Sequence, residues 1–260
     1  MLQSFGKIMF NQKYDNLFFA YKTIFVAKWF YDSFFFSIFV AFTSTFLSII
    51  NGILISFFIW RLPFRYKKYA IVYKIPLILP HIAIAFIVLI LFSKTGVLSS
   101  IFFRLGIISA SNQFPDLLYS QSGIDIIFAY VFKETPFAVL MISAVLLRFD
   151  ERLLDTAKMF GAGIIKSFFK IILPFLMPII NTTFIILFLY SFGAFDIPFV
   201  IGQSYPSMLS IQVYKYFFNK DLQYRPIAMA LLTIMLIFSI FFTYLYTMIV
   251  RKLDSDQRKI

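Results

Sequence analysis

Few residues in this chain could do chemistry, and two of them are adjacent. Lys133 and Glu134 stand side by side within the apolar stretch 124–147. Charged side chains at membrane depth avoid lipid and mark substrate or ion pathways. Two interpretations stay open: a contact on a translocation pathway, or a helix break at Pro136 near an interface, where both charges reach water. Asp196, which ends a later apolar stretch, is a third candidate for the pathway.

Catalytic and metal-binding signatures are missing from the sequence. It has no Cys, which excludes disulfides, thiolate catalysis and Cys-ligated metal sites, and it has no aspartate-rich cluster. Residues 161–167 faintly resemble a phosphate-binding loop, but Ile165 stands where that loop needs Gly before Lys166. His81, the sole histidine, has no evident partner, which favours a structural or pore-facing role. We predict a chain that is not an enzyme and holds neither metal nor cofactor.

The composition is typical of a protein that crosses a membrane several times. Hydrophobic residues make up 61% of the 260 residues and charged residues only 14%, whereas soluble domains carry about 25% charged residues. The net charge of +12 is explained by Lys and Arg that lie in cytoplasmic loops beside anionic lipid. Membrane lipid is therefore an expected partner, and nucleic acid is not.

Five apolar stretches are long enough to cross a bilayer, which takes about 20 residues. The predicted fold is thus an all-α, polytopic transmembrane helical bundle. Pro76 and Pro80 predict a kink in the second span, and small hydroxyl residues in the first favour close helix contacts. Residues 96–110 are too short to span and predict a re-entrant or interfacial segment. The predicted spans are 33–59, 70–92, 124–147, 173–195 and 226–250.

The distribution of Lys and Arg predicts on which side of the membrane the ends and loops of the single transmembrane domain, residues 33–250, lie. Lys and Arg are concentrated in residues 61–68, in the loop 148–172 and in the tail 251–260, so all three are predicted to be cytoplasmic.

Residues 1–32 contain no clean span, because Lys22 and Lys28 interrupt the apolar stretch. We expect an interfacial amphipathic helix over 16–31, on the far side of the membrane, with Trp29 and Tyr31 as anchors.

The loop 148–172 predicts two short amphipathic helices. Asp150 is a suitable N-cap for the first helix, and Gly161 can end it in the left-handed conformation. The apolar stripe of the first helix is Leu153, Ala157 and Phe160, and that of the second is Ile164, Phe168 and Ile171. No other part of the chain evidently buries these stripes, so a partner protein is expected.

This loop resembles the signature loop of permease subunits of binding-protein-dependent ABC importers. The family pattern is Glu-Ala-Ala, three residues, Gly, nine residues, Ile-x-Leu-Pro. Here it reads Asp155-Thr156-Ala157, three residues, Gly161, nine residues, and Ile171-x-Leu-Pro174. Segments 132–137 and 191–198 resemble the polyamine, iron, thiamine and phosphonate group of these permeases.

The resemblance implies a type I importer fold, usually with six spans rather than five, and a multi-pass protein of the bacterial cytoplasmic (inner) membrane. It implies that two permease subunits, identical or different, form the pathway, that cytoplasmic ABC ATPases drive it, and that a periplasmic or surface binding protein delivers substrate. The residues expected at the ATPase contact are Asp155, Ala157, Lys158, Gly161, Ile171, Leu173 and Pro174, and those expected on the pathway are Lys133, Glu134 and Asp196.

Two other kinds of protein compete with this interpretation. A stand-alone secondary carrier or channel would show inverted repeats or paired broken helices, and the sequence shows one clearly broken span. A membrane-embedded enzyme would need a cluster of titratable residues at one depth, and only the pair Lys133 and Glu134 qualifies.

Overall fold

The computed structural model describes Ser4 and residues 18–257, and these residues form helices and loops without any β-strand. Short 3₁₀ segments cover Lys68–Lys74, Ser111–Gln113 and Leu222–Tyr224, and a π-helical turn covers Phe168–Ile172. The α-helices of this part of the chain are α1 Phe19–Val26, α2 Lys28–Arg61, α3 Phe64–Lys67, α4 Ile75–Ile78, α5 His81–Phe92, α6 Val97–Arg104, α7 Ile124–Leu146, α8 Arg152–Met159, α9 Ile164–Ser167, α10 Leu173–Gly193, α11 Asp196–Ile201, α12 Leu209–Phe217 and α13 Arg225–Gln257.

Five helical segments of the described chain are long and apolar enough to cross a membrane. The longest, α2, has 34 residues, which at the usual helical rise is about 51 Å and exceeds a hydrocarbon core of about 30 Å. The predicted all-α bundle with five spans is thereby confirmed. The segments are Lys28–Arg61, His81–Arg104, Ile124–Leu146, Ile164–Gly193 and Leu222–Lys252.

The helices α2 and α7 form the most extensive helix pair in the bundle. A Cβ added at Gly52 would lie 2.6 Å from the Cβ of Ala138, so the two backbones approach closely here. Small residues at such a crossing allow this approach, as the hydroxyl-rich sequence of the first span predicts. The buried hydroxyl residues of α2 are Ser33, Ser37, Ser44, Thr45, Ser48 and Ser56.

The second span differs from its prediction. Instead of one kinked helix over 70–92, the chain makes a 3₁₀ segment and α4, becomes extended at Leu79 and Pro80, and starts α5 at His81. Proline disfavours helical geometry at the residue before it, and Leu79 accordingly has ψ 135°. The helix α6 follows after a second extended break, with ψ 150° at Ser93 and −171° at Gly96. The segment from α5 through α6 is long and apolar enough to cross a membrane, and the re-entrant or interfacial placement of 96–110 stays a prediction.

The N-terminal boundary also differs. The helix α2 begins at Lys28, so Trp29 and Tyr31 belong to the first span and not to an interfacial helix. The Trp29 ring is half-buried and lies 5.2 Å from that of Tyr216 in α12. Of the expected interfacial helix, α1 is described, and it packs on α13 with Ala20 and Ile24 buried; residues 16 and 17 lie outside the described part.

The C-terminal span is longer than predicted, because α13 continues from Arg225 to Gln257 without a break. Residues 251–257, predicted as a tail, therefore extend this helix. The remaining tail residues, 258–260, lie outside the described residues.

Candidate docking surface and membrane cleft

The first loop helix, α8, is defined at both ends by local hydrogen bonds. Asp150 Oδ1 accepts from the N–H of Arg152, the first residue of the helix, at 3.0 Å. The N-cap is Glu151, which makes no side-chain cap bond, so the predicted N-cap Asp150 is one residue too early. At the end, the N–H of Gly161 donates to the Lys158 carbonyl at 2.8 Å and that of Ala162 to the Ala157 carbonyl at 2.9 Å. This pair of bonds is a Schellman motif.

Gly161 has φ +75°, as its predicted role as a helix terminator requires. A Cβ added there would meet nothing within 4 Å. Backbone conformation rather than crowding therefore explains glycine at this position, since other residues are strained in the left-handed region.

One side of the loop is anchored to the bundle. Leu154 of α8 is buried in a cluster with residues of α7 and α10, next to aromatic rings at the end of α2. Trp60 lies edge-on to Phe149 at 5.9 Å, and Phe57 lies edge-on to Phe168 at 5.0 Å. The buried members of the cluster are Ile142, Leu146, Phe149, Leu154, Ile172 and Leu176. The sequence stripe missed Leu154 and Ile172, because helical periodicity alone does not say which face meets the bundle.

The opposite side of the loop is apolar and exposed. Met159 is 89% exposed and Phe160 is 87% exposed, although burying such side chains would each contribute about 1.5–3 kcal/mol. We call this surface the loop face; it comprises Leu153, Met159, Phe160, Ile164, Ile165 and Phe169. Of the predicted stripes, Leu153, Phe160 and Ile164 lie on it, whereas Phe168 and Ile171 pack partly against the chain itself. The expectation that nothing in the chain covers the second stripe is therefore wrong for those two.

The polar residues predicted at the partner contact lie beside the loop face. Asp155 and Lys158 are both exposed and form an ion pair of 2.9 Å. Together with Arg61 and Glu151 they line a small polar cleft of about 180 Å³ between α8 and the end of α2. Ala157 is half-buried on the same helix. The described loop thus places an apolar surface and a charged cleft next to each other.

The predicted turn at Leu173 and Pro174 does not occur. The chain passes from α9 through the π-helical turn Phe168–Ile172 into α10 as one continuous helical segment. Pro174 is at the first turn of α10, where its missing N–H is tolerated, and it remains exposed. Ile171 and Leu173 are half-buried. The second half of the loop is therefore a helical extension of the fourth span.

Lys133 is buried at the middle of α7 and bonds to backbone carbonyls of a neighbouring segment. Its Nζ donates to the carbonyl oxygens of Pro76, Leu77 and Leu79 at 2.8, 3.2 and 2.6 Å. These carbonyls surround the break between α4 and α5.

Glu134 is buried and faces two other helices. Its carboxylate accepts hydrogen bonds from Ser48 of α2, at 3.3 Å, and from Ser191 of α10. Lys133 and Glu134 therefore serve different neighbours instead of pairing with each other. The helix α7 runs unbroken through Pro136, so the interpretation of a helix break at an interface is wrong.

A cleft of about 190 Å³ lies next to this pair, between α4, α5, α7 and α10. His81 lines the cleft with its ring 5.3 Å from that of Tyr190, and its pore-facing role stays a prediction. Asp196 is exposed at the start of α11 and is not part of the cleft lining. Lys133 and Glu134 thus both line the cleft, whereas Asp196 lies outside the lining but interacts electrostatically with two lining residues, His81 and Tyr190. The lining residues are Leu77, His81, Lys133, Glu134, Phe137, Ile186, Leu187 and Tyr190.

Within Ser4 and residues 18–257, no group of three or more His, Cys, Asp or Glu side chains could hold a metal ion.

The fold resembles solved membrane domains of ABC transporters. A chain of a bacterial alginate ABC transporter, solved with an alginate pentasaccharide-bound periplasmic protein, superposes with a TM-score of 0.78 at 17% identity, covering 91% of this chain and 83% of that one. An inward-facing chain of the MetNI methionine ABC transporter gives a TM-score of 0.57 at 17% identity, covering 85% of this chain and 94% of that one. This places the chain among type I ABC importer permease folds.

Residues 48–255 match the family described as the binding-protein-dependent transport system inner membrane component. The chain belongs to this family and is an ABC importer permease subunit of the inner membrane. The molybdate/tungstate transport system permease protein WtpB of Pyrococcus abyssi is 26% identical over 77% of this chain and 72% of that protein. The spermidine/putrescine permease PotB of Haemophilus influenzae is 29% identical, but over only 41% of this chain and 36% of its own length. A stand-alone carrier or channel is not favoured.

Proposed function

We propose that the chain binds a separate cytoplasmic ATPase through the loop face and the charged cleft beside it. The observation that supports this most strongly is the exposure of Met159 and Phe160 on a loop whose other side is anchored through Leu154. An exposed apolar patch bordered by polar residues is typical of a protein interaction site. The amphipathic helix α8 would lie in a groove on the ATPase, which recognises its apolar face.

Individual residues take distinct roles in this contact. Ala157 is small enough for close approach, and the ion pair of Asp155 with Lys158 gives charged complementarity at the rim, where it favours specificity more than affinity. Gly161 fixes the angle between α8 and α9.

Ile171, Leu173 and Pro174 join the loop to the fourth span. A displacement of the loop would therefore be transmitted to α10 along one helical segment. ATP hydrolysis would take place on the partner, and closure of the ATPase dimer would tilt this chain between inward-facing and outward-facing states.

The substrate pathway is proposed to include the cleft beside Lys133 and Glu134. Concave sites between the helices of a bundle, with a few polar groups in an apolar lining, are typical ligand sites. A second permease subunit, identical or different, would complete the pathway, and a binding protein would deliver substrate from outside. Asp196, exposed at the start of α11, would lie toward the outer mouth.

The substrate is proposed to be a small hydrophilic solute. The relatives named above transport molybdate/tungstate or spermidine/putrescine, and segments 132–137 and 191–198 extend the candidates to iron, thiamine and phosphonate. Thermal melting of the substrate-binding protein that supplies this permease, recorded with each candidate, tests the choice: one ligand should raise its melting temperature. A stabilising ligand outside this set would overturn it.

Cross-linking tests the ATPase contact, because the chain has no native Cys. Lys158→Cys should cross-link to a co-expressed ATPase subunit in membranes. Lys220→Cys is the matched control, since Lys220 is equally a surface lysine but lies in the loop between α12 and α13, at the other end of the last span. Absence of a cross-link from position 158, or an equal one from position 220, would contradict the contact.

A further inference from the structure

Lys133 carries an ammonium group whose donors are all engaged by backbone. A lysine ammonium has three N–H donors, and Nζ makes three hydrogen bonds of 2.6–3.2 Å to carbonyl oxygens of Pro76, Leu77 and Leu79. No salt bridge to a carboxylate is found for it within the described residues. A buried lysine that is hydrogen-bonded in this way fixes the position of a backbone segment.

The backbone that Lys133 holds lacks other donors. Pro80 has no N–H, so the carbonyl four residues earlier, that of Pro76, has lost its helical partner. Leu79 and Pro80 are extended, with ψ of 135° and 148°, so α5 starts afresh at His81. Within a bilayer, carbonyls left open by a helix break must be satisfied by other protein groups. Lys133 supplies these donors from α7.

The two sides of the break are held very differently. The helix α5 is anchored by Ile84, Ala85 and Val88, all buried in the core. The helix α4 buries only Pro76 among its four residues, and its main contact outside its own segment is with α7. Ile75 and Ile78 are exposed. Lys133 is therefore the principal polar tether of α4.

Movement of α4 would change the membrane cleft directly. Leu77 of α4 lines the cleft together with Leu187 and Tyr190 of α10. Leu187 is only 4% exposed, so access of a water-soluble reagent to its side chain requires the cleft to open.

We propose that Lys133 is a positioning residue that latches α4 over the cleft, and that α4 swings about Leu79 and Pro80 when the transporter changes state. The inference rests on the proposed function, because it takes the cleft as part of the pathway. In this role the Lys133 ammonium binds backbone carbonyls and controls access to the pathway. It does not bind the solute.

The test measures water access to the cleft in the complete assembly with partner permease and ATPase. Leu187→Cys in the Cys-free chain is labelled with a water-soluble maleimide, with and without trapping by ATP and vanadate. Lys133→Met removes the donors but keeps the length of the side chain. Lys215→Met is the matched control, because Lys215 Nζ also donates to a carbonyl, that of Ser204 at 3.2 Å, but on an exposed surface.

We expect wild-type labelling to differ between the two states. Lys133→Met should raise labelling about tenfold in the state in which the wild type is labelled more slowly, because an open form populated to about 10% would become the dominant one. It should also remove the difference in labelling between the two states. Lys133→Arg should restore part of the difference, and Lys215→Met should change nothing. Unchanged labelling in Lys133→Met would overturn the latch. A loss of uptake that a higher substrate concentration fully restores would also overturn it, because Lys133 would then be binding the solute.

A second variant covers the case in which Lys133→Met fails to assemble. Pro80→Ala returns an N–H that can bond to the carbonyl of Pro76, so it should make the break stiffer and reduce the difference in labelling between states. The double variant should then assemble better than Lys133→Met alone. Wild-type behaviour of Pro80→Ala would contradict the hinge. Absence of any difference between states in the parent Leu187→Cys chain would instead count against the pathway itself.

Discussion

The crossing of α2 with α7 and the loop 148–172 are built on opposite principles. At the crossing, small residues bring two backbones together, and Glu134 is enclosed by hydroxyl groups from two other helices. The loop is held on one side only, through Leu154, and leaves Met159 and Phe160 almost completely exposed. The crossing is thus complete within the chain, whereas the loop needs a partner. Substitutions at the crossing should impair folding, and substitutions on the loop face should impair transport without impairing folding.

Gly52→Leu should have the largest effect, because a Cβ at this position already lies 2.6 Å from that of Ala138. Overpacking commonly costs about 1–3 kcal/mol, and here it would separate the main helix pair. We expect the variant to be degraded or to aggregate in size-exclusion chromatography. Gly193→Leu is the control, since a Cβ there meets nothing within 4 Å. Equal behaviour of the two variants would show that close packing at Gly52 is unimportant.

Glu134→Leu should destabilise the bundle strongly, because it removes the acceptor for Ser48 and Ser191. A buried donor left without a partner costs about 1–3 kcal/mol. Thermal melting in detergent should show a clear loss for Glu134→Leu and a smaller one for Glu134→Gln, which keeps a carbonyl acceptor. If the two variants melt together, the hydrogen bonds to Glu134 do not hold α2, α7 and α10 together.

Gly161→Pro should leave the bundle intact but uncouple ATP hydrolysis from uptake. Proline cannot adopt the φ of +75° found here, and it also removes the N–H that bonds to the Lys158 carbonyl. Gly163→Pro is a stringent control, since Gly163 has φ −68°, close to the value that proline requires. Melting temperature, ATP hydrolysis and uptake should be measured on both. Normal uptake by Gly161→Pro would refute the role of the Schellman motif in coupling.

Phe160→Ser should have the smallest effect on the chain itself, since Phe160 is 87% exposed. Its melting temperature should stay near that of the wild type, while less ATPase co-purifies with it. Leu154→Ser, six residues earlier, places a hydroxyl in the buried cluster and should lower the melting temperature instead. A reversal of these two outcomes would mean that the loop is oriented the other way.

Local chemistry made part of the loop predictable. Gly161 indicates where α8 ends, and Asp150 indicates its start to within one residue, because capping depends on residues within a few positions of each other. The five spans were predictable for a similar reason, since apolar length alone identifies them.

Contacts between distant residues could not be predicted in the same way. Ser48 and Ser191 lie 86 and 57 residues from Glu134, and the carbonyls that bind Lys133 lie 54 to 57 residues away. The sequence shows two adjacent charges, but only the fold shows that each faces a different neighbour. The sequence did not predict the continuous helix through Pro174. A proline in the first turn of a helix has the same sequence pattern whether the preceding residues form a loop or a π-helical turn.

The central claim is that an ATPase covers the loop face, and protection of a single cysteine tests it most directly. Phe160→Cys is labelled with a water-soluble maleimide in the chain alone and in the assembly with the co-expressed ATPase, with Lys220→Cys as the reference. We predict fast labelling of position 160 in the chain alone and slow labelling in the assembly, with position 220 equally reactive in both. Equal labelling of position 160 with and without the ATPase would contradict the claim.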